Sequence, residues 1–180
     1  MKKLATLTLA LLMLLSLANT AAAATTYSAG SYYTIDYADE LNLDDVSYAD
    51  ESTDDYQWLF LLYNDTYLID ASLSRVTGYE GESLYNATQE ERDAYVADTL
   101  DAYADDNAQL TRELTTVSGF PFYIFSLEGS DGAYYLAETI ANGTSVSLYA
   151  YYADASKPLD QELLEKFTEL LITLRPTEGT

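Results

Sequence analysis

The chain has 180 residues, with 30 Asp and Glu against 8 Lys and Arg, and contains no His and no Cys. Those absences exclude Ser-His-Asp and Cys-His catalysis, His general bases, and zinc, haem-His and blue-copper centres. The net charge of −22 excludes nucleic acid and anionic membrane surfaces as partners, because their recognition rests on Lys and Arg.

The N-terminus reads Met1-Lys2-Lys3, an apolar run from Leu4 to Leu17 broken by Thr6, Thr8 and Ser16, then Asn19-Thr20 and Ala21 to Ala24. A basic, an apolar and a small-residue region in that order form a secretory signal peptide over residues 1–24, and the apolar run is shorter than the roughly 20 residues a membrane helix needs. Cleavage is expected after Ala24, with Ala22 and Ala24 as the small pair, or after Ala22, and no Cys follows to take a lipid. Loss of Lys2 and Lys3 lowers the basic count from 8 to 6 and brings the net charge to −24. Residues 25–31 are then a flexible lead, 32–176 one domain without disulfides, and 177–180 a tail. The double Lys and short apolar run are of bacterial type, so the sequons at Asn64, Asn86 and Asn142 read as chance matches.

Residues 32–37, Tyr-Tyr-Thr-Ile-Asp-Tyr, have the aromatic and β-branched content of a strand. From Ala38 to Asp55 the chain is polar and acidic, which reads as a surface loop. Two apolar runs follow, Tyr56 to Tyr63 and Thr66 to Val76, separated by Asn64-Asp65, a two-residue hairpin turn in which both residues tolerate positive φ. Gly78, Gly81 and Asn86 mark a loop. Thr88-Gln89-Glu90-Glu91 is a capping box that opens a helix with Val96, Leu100 and Tyr103, joined by Tyr95 and Thr99, on one face. The helix is expected to end near Asp105 to Asn107, with the acidic residues beyond it and Asn107 left-handed.

Strands are then expected near Leu110 to Val117, Phe120 to Leu127, Ala133 to Ala141 and Thr144 to Tyr152, linked by Gly129-Ser130-Asp131-Gly132 and by the hairpin signal Asn142-Gly143. A last helix opens around Ser156 to Leu159, closes before Pro176, and carries the stripe Leu159, Leu163, Phe167, Leu170 and Leu174. In Gln57 to Tyr63 both alternating sets are apolar: Trp58, Phe60 and Leu62 on one side, Leu59, Leu61 and Tyr63 on the other. Phe120 to Leu127 repeats the pattern. Strands of that kind are covered on both faces, so the expected α+β fold is a single antiparallel sheet of about six to seven strands with a helix on each face, an α/β/α sandwich. The 18 tyrosines suit half-buried pleated faces.

The element order, together with Tyr32-Tyr33-Thr34-Ile35-Asp36-Tyr37, the Tyr56 to Val76 hairpin, Gly119-Phe120 before an aromatic strand, and the Leu170-Leu171-Ile172-Thr173-Leu174 helix end, resembles the PsbP-like fold. The resemblance covers most of the chain beyond the signal and implies a non-enzymatic binding or accessory domain. It implies no functional residue.

Neither Gly-x-Gly-x-x-Gly nor a P-loop occurs, and a Ser-Lys mechanism could use only Lys157 or Lys166, which read as solvated helix charges. No cofactor is implied. Calcium is the one candidate ion, since it takes carboxylate oxygens without His or Cys. Asp50, Glu51, Asp54 and Asp55, with Asp44 and Asp45 nearby, are its candidate ligands; the stretch lacks EF-hand spacing, and the competing reading is a solvated acidic loop. The functional expectation is an exported, non-enzymatic module that binds a cationic protein segment or a small ligand. The alternatives are a small carbohydrate-active or metal-dependent enzyme using Asp and Glu alone, and a structural acidic surface protein. Converging carboxylates of raised pKa in a pocket would favour the enzyme; a contiguous exposed Tyr patch would favour the module. N-terminal sequencing of secreted material checks the signal: the expected first residue is Thr25 or Ala23, and recovery of intact Met1 chain from the medium would refute cleavage.

Overall fold

The computed structural model describes residues 24–29, 33–44, 56–130 and 132–176. Among the described residues ten strands and two α-helices run in the order β1 (Ala24–Ala29), β2 (Tyr33–Ala38), β3 (Asn42–Asp44), β4 (Tyr56–Tyr63), β5 (Tyr67–Arg75), α1 (Gln89–Ala102), β6 (Gln109–Thr115), β7 (Pro121–Gly129), β8 (Gly132–Ala141), β9 (Thr144–Tyr152), α2 (Gln161–Leu171) and β10 (Arg175–Pro176). The fold is α+β, and every strand pairing is antiparallel.

The expected single sheet with a helix on each face is corrected. The strands form two sheets, one of seven in the order β3-β4-β5-β9-β8-β7-β6 and one of three in the order β1-β2-β10. Strand β2 alternates strictly, with Tyr33, Ile35 and Tyr37 buried and Thr34, Asp36 and Ala38 partly exposed, so it needs an apolar layer on one side only. It finds that layer in the large sheet: Tyr33 and Tyr27 meet Phe60 edge-on at 5.9 and 5.5 Å. Helix α2 lies in the same core through Leu163, Leu164, Phe167, Leu170 and Leu171. One side of the large sheet is therefore covered by α2 together with the second sheet, while α1 contributes Tyr95, Val96 and Leu100 to a separate cluster on the opposite side.

Residues 25–29 of the expected flexible lead, together with Ala24 of the expected signal peptide, are instead a strand that pairs with β2 from Ala24↔Ala38 to Ala29↔Tyr33. The expected loop from Ala38 contains β3, paired with Leu61 to Tyr63. After α2, Arg175 and Pro176 return to β2, where Arg175 binds Asp36 at 2.8 Å and the Thr173 hydroxyl accepts the Asp36 amide at 3.0 Å. The last helix starts later than expected: Asp160 is its N-cap, accepting the Leu163 amide, and Pro158 lies outside it.

Several local expectations hold. Thr88 and Glu91 form the capping box. Asn107 is left-handed at φ 54°, as expected, but helix α1 ends at Ala102, before the expected Asp105 to Asn107, and a 3₁₀ turn carries Ala104 to Asp106. Asn142 and Gly143 both have positive φ in the β8–β9 turn, where a Cβ on Gly143 would stand 2.7 Å from the Tyr79 carbonyl oxygen. The β4–β5 turn differs. Among the described residues the non-glycine positions of positive φ are Asn107 and Asn142, so Asn64 and Asp65 are not left-handed. Instead the Asn64 carboxamide oxygen accepts the Thr66 and Tyr67 amides at 2.8 and 3.0 Å, a side-chain substitute for a backbone turn.

The buried α2 stripe gives a stability test. Phe167 is fully enclosed, so Phe167→Asp forces an unpaired charge into the core and is expected to cost several kcal/mol, enough to unfold a marginal domain. Glu165, which is exposed and paired with Arg112 at 2.9 Å, is expected to tolerate Ala with little change in the urea midpoint. Equal midpoints for Phe167→Asp and the parent would refute the packing.

Candidate functional site

The site grows from one irregularity in β4. Tyr56↔Ser74 and Trp58↔Ser72 pair in one phase, Phe60↔Ala71 and Leu61↔Asp70 in the next, so Leu59 is an inserted residue. A bulge of this kind re-aims the side chains on one flank of it. Phe60 and Leu62 point into the core shared with α2, whereas Trp58, expected beside them, turns to the opposite face. Trp58 is the chain's single tryptophan.

That opposite face is set by cross-strand pairs. Asp70 of β5 pairs with Leu61 of β4 and with Tyr149 of β9, and Tyr149 packs against the cluster beneath α1, so Asp70 lies on the α1 side. Leu68, Ser72 and Ser74 share its parity. Among the described residues, the cluster beneath α1 takes side chains from β7, β8 and β9 but none from β4 or β5. Beyond the reach of α1 a pocket of about 460 Å³ opens, with Tyr56, Trp58, Asp70, Tyr149 and Tyr151 from the strands on its wall. Tyr134, Asp106 of the 3₁₀ turn, the Gly129-Ser130 and Gly132 hairpin tip, Tyr152 and Ala155 complete it. Tyr56 and Trp58 meet edge-on at 5.5 Å and Tyr134 and Tyr149 lie 6.0 Å apart. At the tip a Cβ on Gly129 would stand 3.3 Å from the Tyr134 ring, so the small residue lets that ring lie against the backbone.

Asp70 is the unusual member. It is 7% exposed; Oδ2 accepts the Tyr151 hydroxyl at 3.1 Å, and Oδ1 is buried with no hydrogen-bond partner among the described residues. Burial pushes its pKa up to about 7, against a smaller opposing effect of the Tyr151 hydrogen bond. A second buried carboxylate on the same face, Glu138 of β8, has the opposite fate. Its Oε2 accepts the Tyr95 hydroxyl at 3.1 Å and its Oε1 the Ser147 hydroxyl at 2.8 Å, while burial raises its pKa also. Helix α1 thus satisfies Glu138 and leaves Asp70 half satisfied. Burial holds the Tyr149 and Tyr134 hydroxyls neutral, well above the ordinary range for Tyr149, and the pocket's polar inventory is that of hydrogen-bonding phenols around one buried carboxylate, Asp70, with half-buried Asp106 at the 3₁₀ turn.

The candidate calcium ligands Asp50, Glu51, Asp54 and Asp55 lie outside the described residues, as does Asp45; Asp44 is in β3. Among the described residues no three carboxylates gather as a metal site. Lys157 and Lys166 are surface cations: Lys157 stands 3.4 Å from the centroid of the Tyr152 ring, and Lys166 pairs with Glu40 at 3.5 Å. Asp105 is exposed in the 3₁₀ turn beyond α1, and Arg112 pairs with Glu165 at 2.9 Å. Sequence reasoning passed over Asp70 inside an apolar run. The signal that marks it is parity: Asp70, Ser72 and Ser74 are polar at every second position of a strand, where Asp is disfavoured.

Among the described residues no helix is long and apolar enough to cross a membrane. Neither a protein-family model nor a curated protein matches this chain.

The raised pKa of Asp70 sets a stability test. Because the folded state holds the proton more tightly than the unfolded chain, its contribution is complete below about pH 4 and is lost as pH rises to about 7. Asp70→Asn keeps the shape and an acceptor for Tyr151. Thermal unfolding from pH 4 to pH 8 is expected to show the variant gaining on the parent by a few kcal/mol across that window, by linkage. A constant difference would mean that Asp70 titrates normally.

Proposed function

We propose that this chain is an exported, non-enzymatic binding or accessory domain whose ligand site is the aromatic pocket at the β4–β5–β9 end of the α1 face. The observation that carries the reading is the pocket itself: aromatic side chains from β4, β8 and β9 around one enclosed carboxylate, in a volume of about 460 Å³, within the roughly 300–1,000 Å³ range of ligand sites. The aromatic concentration sits there rather than in an exposed patch, since among the described residues the exposed tyrosines are Tyr63, at the end of β4, and Tyr85, in the loop before α1. Export is supported by the Lys2-Lys3 leader and its alanine-rich end, and the accessory role by the resemblance to PsbP-like proteins. A cationic protein segment or a small ligand suits a chain of net charge −22.

One observation favours a second reading, a carboxylate-based hydrolase. Asp70, lifted to about 7, has the pKa of a general acid at neutral pH, and half-buried Asp106 is a second carboxylate on the wall. Such an enzyme needs a second acid with its own role. Turnover of aryl glycosides that Asp70→Asn abolishes would establish it in place of the binding reading.

Trp58 makes the binding reading directly measurable, since its emission reports on the pocket wall alone. Small organic cations, neutral sugars and aromatic acids titrated against the full chain are expected to include ligands that shift that emission. Tyr134→Ala, which removes one wall, is expected to weaken them at least tenfold while the melting temperature moves by a few degrees. Equal affinity in parent and variant would place the ligand elsewhere.

A further inference from the structure

Two features of the pocket wall select the chemistry of its occupant. The first is an open acceptor. Tyr151 serves Oδ2 of Asp70 at 3.1 Å, and Oδ1 has no donor among the described residues. A buried carboxylate oxygen in that state keeps its desolvation cost until a donor reaches it. The second is the aromatic wall of Trp58, Tyr134, Tyr149 and Tyr151, whose ring faces attract a cation. Resting on the binding reading above, we infer that the pocket takes an organic cation bearing N–H groups, a guanidinium or primary ammonium, with Oδ1 of Asp70 accepting from it.

The two features exclude the neighbouring classes. A sugar hydroxyl could donate to Oδ1 but brings no charge to offset that of the ionised carboxylate, the form present above about pH 7. A quaternary ammonium would answer the charge and the aromatic faces but carries no N–H. It is also broad, and Asp70 is 7% exposed, so the group that reaches it is narrow or flat. A guanidinium is planar, weakly hydrated and suited to stacking on rings. The chain displays the same recognition at the pocket's rim: the Lys157 ammonium stands 3.4 Å from the Tyr152 ring centroid, and the Tyr152 hydroxyl bonds Asp160 at 2.7 Å. There the cation, the ring and the carboxylate all belong to the chain; at Asp70 the ring and the carboxylate are present and the cation comes from a ligand. The cation has two sources, a free amine or guanidine and an Arg or Lys side chain of a protein segment, and they share this chemistry.

The test compares probes on the full chain by Trp58 emission and calorimetry. They are n-butylguanidinium, n-butylammonium, tetramethylammonium, n-butanol, methyl β-glucoside and the blocked tripeptide acetyl-Gly-Arg-Gly-amide. The two N–H cations are expected to bind at least tenfold tighter than tetramethylammonium and n-butanol, and Asp70→Asn to erase that preference while the circular dichroism spectrum is retained. A tripeptide tenfold tighter than n-butylguanidinium assigns the source to a protein segment, and equal affinities assign it to a free cation; both support the inference. Tetramethylammonium equal to n-butylguanidinium, or unchanged binding to Asp70→Asn, overturns it without need of any other variant. Binding of methyl β-glucoside with the cations inert overturns it and leaves the binding reading standing. Silence from every probe in this set and in the wider panel removes both.

Discussion

Covering both faces of a seven-stranded sheet with two helices is the constraint on which this structure turns. Strands about 4.8 Å apart make the sheet roughly 29 Å wide, and a helix with its side chains is about 10 Å across. Neither helix alone can close a face. On one side the deficit is met by β1, β2 and β10, which lay a second sheet beside α2 and bury Tyr33, Ile35 and Tyr37. On the other side no described helix or strand lies over β4 and β5 beyond α1, and Tyr56, Trp58, Asp70 and Ser72 stand there beside Leu61 and Leu68. The pocket is what the shortfall leaves.

Asp70 and Glu138 show how much depends on that geometry. Both carboxylates stand on the same face, with β9 between their strands, and burial raises both pKa values. Glu138 lies under α1 and receives the Tyr95 hydroxyl from it, and Ser147 of β9 completes its shell. Removing a partner from a satisfied buried group costs far more than the bond is worth net, so this network fixes where α1 sits. Asp70 lies past the helix and holds one hydroxyl, that of Tyr151. The difference is one of coverage, not of residue type, and it leaves Asp70, a residue of the pocket wall, with one buried oxygen that has no hydrogen-bond partner among the described residues.

How much of this is legible in the chain follows from the length over which each signal acts. Strands β8 and β9 span ten and nine residues, and Asn142-Gly143 between them has one favoured turn, so register and turn are readable together. The Thr88 to Glu91 box is readable because capping is local. Strands β3 and β10, of three and two residues, carry no period, and β1 stands where composition reads as a lead; without them the second sheet cannot be seen. Helix α1 is readable as a helix, yet its most buried members are Tyr95 and Thr99 rather than Val96 and Leu100, because the Glu138 network draws Tyr95 inward. The bulge at Leu59 is hidden for a different reason. In Tyr56 to Tyr63 an inserted residue leaves an apolar run apolar, so only pairing with Ser72 and Ala71 reveals that Trp58 has changed sides. With Trp58 assigned to the core, Asp70 reads as an accident in a strand rather than as part of a wall.

The overall charge and the local site act at different distances, which separates what each contributes to recognition. A net charge of −22 raises the concentration of cations near the surface, but in physiological salt it acts over about 8 Å and draws any cation alike. Exposed pairs such as Lys166–Glu40 show how little shape such contacts impose. Selectivity has to arise where water is excluded, because there a missing donor is not replaced by solvent. Asp70 is in that position: its unpartnered oxygen is buried and aromatic side chains line the pocket beside it, so in the proposed site the oxygen would discriminate by hydrogen bonding. In the proposed site added salt would therefore act mainly on the long-range attraction and the rate of encounter, whereas a change at Asp70 would act on which cation is held.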